Sequence, residues 1–177
     1  MARNGVYGVA KFLMQEAVAN GFPTDESWAT AFEMKAIVKD SLSYNDQAAS
    51  ENDIEVEDMD LPYASLPSSL ATKGFTVQTY DLSKEAYVYL MGYEEKEGWV
   101  TETPGKKLGN QAVQITTKAL AEFSAKVFEW ANLSAKVTRT GTIGKSGFPN
   151  LNIEFKQEVL TDESGKEIGG ARWKALS

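Results

Sequence analysis

The sequence predicts a mostly β fold of antiparallel strands with one short α-helix inserted in the middle of the chain. Apolar and polar residues alternate with a period of two in several segments, which is typical of half-buried strands. Clusters of turn-forming residues, such as GTIGKSGFPN at 141–150, separate these segments. Only one segment, at about 83–91, combines helical apolar spacing with residues that begin and end a helix well.

The first elements along the chain are a helical turn and a strand. The segment PTDESWATAF at 23–32 is predicted to contain a helical turn. In the segment that follows, Met34, Ala36 and Val38 alternate with the residues between them, two of which are lysines. This alternation predicts a half-buried strand over 34–39, with one side facing the core.

The segment ENDIEVEDMD at 51–60 has six carboxylates in ten residues, and it too is predicted to be a strand. In a helix its alternating acidic residues would stack as like-charged pairs four residues apart, which is destabilising. In a strand they share one side, and the β-branched Ile54 and Val56 share the other, anchored side. The four acidic residues of this row are Glu51, Asp53, Glu55 and Glu57.

The acidity of the chain is concentrated around this row. No Lys or Arg occurs between Lys39 and Lys73, whereas eight of the 25 Asp and Glu residues do. The net charge of −7 is therefore local, because the other 17 acidic residues are balanced by 18 basic ones. Carboxylates about 7 Å apart lie within one Debye length of each other, so the row must face water or cations.

The acidic row does not fit a metal site or a catalytic pair. A calcium-binding loop needs glycine at its sixth position, which is Val56 when the loop starts at Glu51. A glycosidase needs two carboxyl groups in contrasting environments, one of them kept protonated by an apolar pocket. A solvated row lacks that contrast, so we predict no metal ligands and no catalytic residues here.

The predicted helix has a capping residue at each end. Asp81 or Ser83 is suited to the N-cap, and Gly92 is suited to the left-handed conformation that ends a helix. Around the helix, the alternation predicts three further half-buried strands, at 75–78, 113–116 and 151–156.

The C-terminal half is predicted to hold one long strand and a terminal hairpin. The segment 126–140 looks extended, but its apolar residues change parity near Asn132, which predicts a bulge or bend there. The turn signals of 141–150 end this strand, and DESGK at 162–166 predicts the turn of the last hairpin.

The residue inventory excludes most catalytic chemistries. The chain has no cysteine and no histidine, which removes disulfides, Cys/His zinc sites and every Ser-His or Cys-His arrangement. The GKS at 144–146 is not a phosphate-binding loop, because Arg139 stands where the motif needs glycine and Gly147-Phe148-Pro149 prevents the helix that must follow. We expect a protein without cofactor that is not an enzyme.

The sequence gives no sign of a membrane or secretory segment. The N-terminal MARNGVYGVAKFLMQEA is interrupted by Lys11 and Gln15, so it lacks the apolar region of a signal peptide. No stretch approaches the roughly 20 apolar residues that cross a bilayer. We expect an intracellular, soluble protein without membrane contact.

The order of three segments carries a resemblance to a known family. An acidic strand, DIEVEDMDLP at 53–62, is followed by a strand and helix, GFTVQTYDLSKEAYVYLMGY at 74–93, and later by LNIEFKQEVLTDESGKEI at 151–168. This order resembles the major tail proteins, or tail tube proteins, of long-tailed bacteriophages, most closely the siphophage type. The likeness predicts one tail tube β domain over 33–177, preceded by an N-terminal segment or arm over 1–32.

The resemblance implies an antiparallel β-sandwich or barrel-like fold with a flanking helix. It further implies a structural virion protein that forms homohexameric rings, stacked as a hollow tube that conducts phage DNA without binding it specifically. Its partners would be further copies of itself and other phage tail proteins. It would be made in the bacterial host cytoplasm and function in the virion tail. The acidic row then becomes a candidate face of the lumen or of an interface.

A second interpretation is a small β-sandwich module that binds carbohydrate or protein. Such modules use exposed aromatic rings around a groove as stacking platforms, and Trp99, Trp130 and Trp173 are the candidates. We expect these tryptophans to lie in the core or in an interface instead, which favours the structural protein over the binding module.

Overall fold

The computed structural model describes residues 8–55, 57, 60–62, 64–120, 123–145 and 147–176. Its helices are α1 (Asp25–Trp28) and α2 (Lys84–Met91). Its strands are β1 (Val9–Glu16), β2 (Phe32–Glu33), β3 (Ser43–Tyr44), β4 (Ser50–Ile54), β5 (Ala64–Ser69), β6 (Gly74–Thr79), β7 (Glu94–Lys96), β8 (Trp99–Thr101), β9 (Gln111–Thr117), β10 (Lys126–Thr140), β11 (Asn150–Gln157), β12 (Leu160–Thr161), β13 (Glu167–Ile168) and β14 (Ala171–Ala175). The predicted mostly β fold with one short helix at about 83–91 is confirmed.

Eight of the strands form one antiparallel sheet that curls over itself. Their order is β2-β1-β9-β10-β11-β6-β3, and β14 pairs with the first part of β10. The rings of Phe12 in β1 and Phe155 in β11 lie 6.1 Å apart between centroids, although β9 and β10 separate their strands. In a flat sheet these strands would be about 14 Å apart, at roughly 4.8 Å per strand. The curl therefore gives the sandwich-like or barrel-like shape that the sequence predicts.

The main core lies inside this curled sheet and beneath α2. The alternation predicted for β6, β9 and β11 is confirmed, because successive odd-numbered residues of each strand point into the core. The buried members are Phe12, Met14, Met34, Phe75, Val77, Ala86, Leu90, Val113, Ile115, Leu133, Leu151, Ile153 and Phe155.

The predicted irregularity of the long strand is confirmed in β10. Its pairing with β9 shifts register between Trp130 and Leu133. An extra residue in one strand restores the inward direction of side chains that would otherwise point outward. Phe128 and Trp130 before the shift and Leu133 after it consequently contact the same core, although they differ in parity.

The strand predicted over 34–39 is wrong. Met34 is buried, but Ala36 is exposed and takes a positive φ of 47°, which interrupts the alternation. Only Ile37 forms an isolated bridge, to Thr79 of β6. The side chain of Thr79 explains the irregular path, because its hydroxyl donates to the carbonyl of Lys35 (2.5 Å) and thereby replaces a regular backbone ladder.

Strands β1 and β2 join the N-terminal residues to the eight-stranded sheet. β1 pairs with β9 along its whole length and contributes Phe12 and Met14 to the main core. On the other face of these strands, Trp28 of α1 packs with Leu13 and Ala112 in a small second cluster. The predicted helical turn is confirmed as α1, which Thr24 caps.

Helix α2 begins and ends as the sequence predicts. The hydroxyl of Ser83 accepts a hydrogen bond from the backbone N–H of Ala86 (3.2 Å), and Asp81 in turn accepts from the N–H of Ser83. Gly92 ends the helix in the left-handed region, with φ of 68°. Ala86 and Leu90 fix the buried face of the helix against the core.

Two hairpin turns are also confirmed. Residues 141–149 connect β10 to β11, which pair from Thr140 and Asn150 onward. The turn at 162–166 connects β12 to β13. There the Asp162 carboxylate accepts a hydrogen bond from the Ser164 hydroxyl and others from backbone N–H groups, which lowers the pKa of Asp162.

Alkaline pH should weaken the contact between α2 and the sheet. Burial, and next the nearby Glu16, raise the pKa of Tyr89 from 10.0 to about 12. The phenol donates to the buried side-chain oxygen of Gln111 (2.7 Å). Because the folded pKa is raised, this contribution is fully present below pH 10 and is lost as pH rises towards about 12. Denaturant titrations between pH 9 and about 11 should show that the free energy of unfolding falls more steeply with pH in the wild type than in Tyr89→Phe. Equal slopes in the two proteins would contradict the raised pKa of Tyr89.

Candidate functional site: the acidic arm and the exposed sheet edges

The acidic segment forms an arm that leaves the main sheet. Gln47 and Thr72 bridge its base with two backbone hydrogen bonds of 2.8 and 2.9 Å. Between them, within residues 48–71, β4 and β5 form a two-stranded ribbon that is separate from the eight-stranded sheet. Every residue of 48–71 whose burial is described is exposed, except the half-buried Ala64. The described residues of the arm therefore form no core of their own.

The register of the ribbon separates an acidic face from an apolar one. Asp53 pairs with Ser65, whose hydroxyl donates to the Asp53 carboxylate, and Glu51 lies two residues before it on the same face. The opposite face consists of Asn52, Ile54, Ala64 and Leu66.

The structure places all four residues of the predicted acidic row on the arm, and all four are exposed. Strand β4 is shorter than predicted, because it ends at Ile54. Glu55 and Glu57 therefore lie beyond the strand, and Val56 lies outside the described residues. Ile54, predicted to anchor the strand, is 41% exposed instead of buried. Among the described residues, neither core cluster includes this side chain.

The arm also exposes larger apolar side chains. Leu61 is 78%, Leu66 54% and Leu70 84% exposed. Single exposed apolar residues are normal on a protein surface, but several on one unsupported ribbon are typical of an interaction surface.

The main sheet has an exposed edge strand at β14. All five of its residues are exposed, and β10 is the strand with which it pairs. An ion pair between the exposed Arg172 and the buried Glu129 holds β14 in place, since the guanidinium Nε lies 2.5 Å from Oε2 of Glu129. Glu129 is 5% exposed and also accepts from Gln114 (2.8 Å). Edge strands carry unpaired backbone groups that are available to a further strand.

An aromatic groove of about 370 Å³ lies beside this edge. The rings of Trp130 and Trp173 line it together with Tyr44 and Phe128. Trp173 is 63% exposed, whereas Trp130 is half-buried against the core. Trp99 lies elsewhere, in the β7–β8 hairpin, and is 78% exposed.

A second cavity, of about 550 Å³, lies between α2 and the loop before β9. It has charges of both signs at its wall, and Lys84 there forms an ion pair with Glu95. Across the described ranges of the chain, no group of three or more acidic residues lies close enough to hold a metal ion. Within the same ranges, no helix is both long and apolar enough to span a bilayer.

Sequence reasoning missed the edge strand β14 and its ion pair. The segment ARWKA does alternate apolar and charged residues, but its only large apolar residue is Trp173, so the strand signal is short and weak. A usable signal was Glu129, the one acidic residue between Lys126 and Thr140, within an otherwise apolar and basic strand. A lone carboxylate at such a position requires a partner when it is buried.

The comparisons with known proteins are sparse. No protein-family model matches the chain, and no curated protein matches it. A solved structure described as "Structure of a type six secretion system protein" is similar to it at 15% sequence identity and a TM-score of 0.36. That match covers 94% of this chain and 95% of the other. A likeness of this level carries no inference about function.

Proposed function

We propose that this chain is a structural tail tube subunit, which self-assembles into hexameric rings stacked as a hollow tube for phage DNA. The exposed arm carries the proposal. It displays an apolar face and an acidic face on β4 and β5, yet its described residues, apart from the half-buried Ala64, are all exposed. Burying this apolar surface against other copies would stabilise an assembly, at about 25 cal/mol for each Å² removed from water.

The exposed sheet edge supports lateral association. β14 offers backbone hydrogen-bonding groups along its free side, next to the exposed Trp173. Edge-to-edge pairing of identical subunits by two different surfaces is heterologous, and it closes into a ring when the rotation permits. In a ring the edge is no longer an aggregation hazard, because each copy covers its neighbour.

The charge of the arm supports the conduction of DNA. A ring of six copies would repeat the exposed carboxylates of Glu55 and Glu57, at the end of the arm, six-fold. A basic channel would bind DNA phosphates strongly and in a salt-dependent way, whereas an acidic wall repels them. The function of this face is then to keep the passing DNA free, with no catalysis and no cofactor. Other tail proteins would be the further partners, in the virion tail.

The oligomeric state of the purified chain tests the proposal. Sedimentation velocity over a wide range of protein and salt concentrations should reveal a hexamer, or larger assemblies, of the 19.4 kDa chain. A protein that sediments as a monomer under all of these conditions would reject the proposed function.

Reversing the charge at the end of the arm should make the tubes retain DNA. In Glu55→Lys/Glu57→Lys each ring of six would gain twelve cations in place of twelve carboxylates. Assembled variant tubes should bind a DNA duplex that wild-type tubes leave free, and binding should weaken steeply with salt. If assembled tubes of the variant also leave DNA free, these residues do not line the bore.

The aromatic groove favours a second candidate function, a carbohydrate-binding module. Trp130 and Trp173 line one groove with Tyr44, which is the arrangement that sugar stacking needs. This candidate leaves the acidic arm without a role. A monomer that binds a glycan, and loses the binding in Trp173→Ala, would support it over the tube subunit.

A further inference from the structure

The two ends of the β6–β11 strand pair carry surfaces of opposite charge. The arm leaves the sheet at the start of β6, where the N–H of Gly74 donates to Asp46 (3.0 Å). Residues 138–149, hereafter the tongue, extend from the other end, where Leu151 pairs with Thr79. The strand between the two places is about 17 Å long. The arm and the tongue therefore lie at opposite ends of the subunit.

The tongue is basic and exposes two large apolar side chains. Ile143 is 94% and Phe148 is 81% exposed at the turn between β10 and β11. Arg139 and Lys145 are exposed beside them, and the sequence has no Asp or Glu from 130 to 153. Lys136 is not counted here, because Glu154 lies directly opposite it in the neighbouring strand.

The elements packed beside the tongue leave this end positive. Lys35 and Lys39 lie on the segment that borders β6, together with Asp40, and Asp81 follows β6 directly. With Arg139 and Lys145 of the tongue, this end has four cations against two carboxylates. The arm, in contrast, contains no Lys or Arg.

We propose that the arm of one copy docks on the tongue of a second copy. The two surfaces are complementary in charge and both expose apolar side chains. The acidic face of the arm, with Glu51 and Asp53, complements Arg139 and Lys145. Its apolar face and exposed leucines complement Ile143 and Phe148. This proposal rests on the proposed function only in requiring that copies associate, and it adds which surfaces meet.

This contact gives the assembly a direction. Because arm and tongue lie at opposite ends of one subunit, their contact is head-to-tail, and the free arm and free tongue at the two ends can each take another copy. Such a heterologous contact extends as an open stack instead of closing as a dimer. The apolar contact supplies most of the affinity, while the charges determine the partner surface and accelerate association at low salt.

A charge-swap experiment tests the contact. The arm variant is Glu51→Lys/Asp53→Lys, and the tongue variant is Arg139→Glu/Lys145→Glu. At low ionic strength each variant alone should need at least about ten-fold more protein to form sedimentable stacks, which corresponds to about 1.4 kcal/mol. An equimolar mixture should assemble like the wild type, because each reversed surface then meets a complementary one. A chain with all four substitutions should likewise assemble alone.

The matched control is Glu163→Lys/Glu167→Lys in the exposed β12–β13 hairpin. It changes the net charge as much as the arm variant does, and it should leave the threshold for assembly unchanged. Circular dichroism of each variant verifies that it is folded. If wild-type protein assembles and the reversed variants assemble equally well, or if mixing them restores nothing, arm–tongue docking is wrong and the tube proposal stands. If the wild type itself never associates, both proposals are wrong.

Discussion

Replacing residues 51–68 by the dipeptide Asn-Gly should abolish assembly while leaving the subunit folded. Ser50 and Ser69 are paired across the ribbon, so a two-residue turn can connect them without disturbing the base of the arm. None of the deleted residues that the structure describes belongs to either core cluster. We expect the threshold concentration for stacks to rise at least about 100-fold, a change of about 2.7 kcal/mol or more. Sedimentation measures this threshold.

The stability of the shortened chain is the control for this experiment, because a loss of assembly is informative only if the subunit remains folded. Its free energy of unfolding should equal that of the full chain to within about 0.5 kcal/mol, because every removed residue whose burial is described is exposed, except the half-buried Ala64. A shortened chain that unfolds much more easily would show that the arm stabilises the monomer. A shortened chain that still forms stacks at the wild-type concentration would show that the arm does not join subunits.

Replacing Phe155 by alanine should lower the free energy of unfolding by about 3–5 kcal/mol. Its side chain is fully buried, and its ring lies 4.8 Å from that of Phe75 and 6.1 Å from that of Phe12. The substitution removes both ring contacts and leaves a cavity where the two halves of the curled sheet meet. For a chain of this length the melting temperature should fall by roughly 6–20 °C. Denaturant unfolding measures the free energy directly.

Phe148→Ala is the matched control for this prediction. The residue type is the same, but Phe148 is 81% exposed, so its loss should change stability by no more than about 0.5 kcal/mol. Phe148→Ala should instead weaken assembly if the tongue is a docking surface. If Phe155→Ala lowers the free energy of unfolding by less than about 1.5 kcal/mol, Phe155 does not lie at the centre of the core.

The sequence predicted those elements whose local pattern and tertiary burial agree. In β6, β9 and β11 one face is fully buried, so the period of two is visible in the residues themselves. Helix α2 is bounded by Ser83 and Gly92, whose conformations are local properties. Even the irregularity in β10 was predictable, because a change of parity at Asn132 has few structural explanations.

The rest depends on contacts between distant residues, which the local pattern does not contain. The segment around Ala36 alternates like a strand, but hydrogen bonds from Thr79 and Tyr80 of another part of the chain fix it in an irregular path. In the arm, Ile54 has the pattern of a buried residue but is 41% exposed, and it belongs to neither core cluster of the described residues. Such a pattern without a core is what we expect when the covering surface comes from another copy. The five residues of β14 do alternate, but that local pattern does not show that β10 is the strand with which they pair.

The central claim is that copies of this chain build a tube, and negative-stain electron microscopy of the purified protein at high concentration tests it most directly. The tube proposal predicts rings, or stacks of rings, with a uniform central bore. It also predicts that the chain shortened by residues 51–68 forms no stacks in the same buffer. Fields of separate small particles at every protein and salt concentration would contradict the claim.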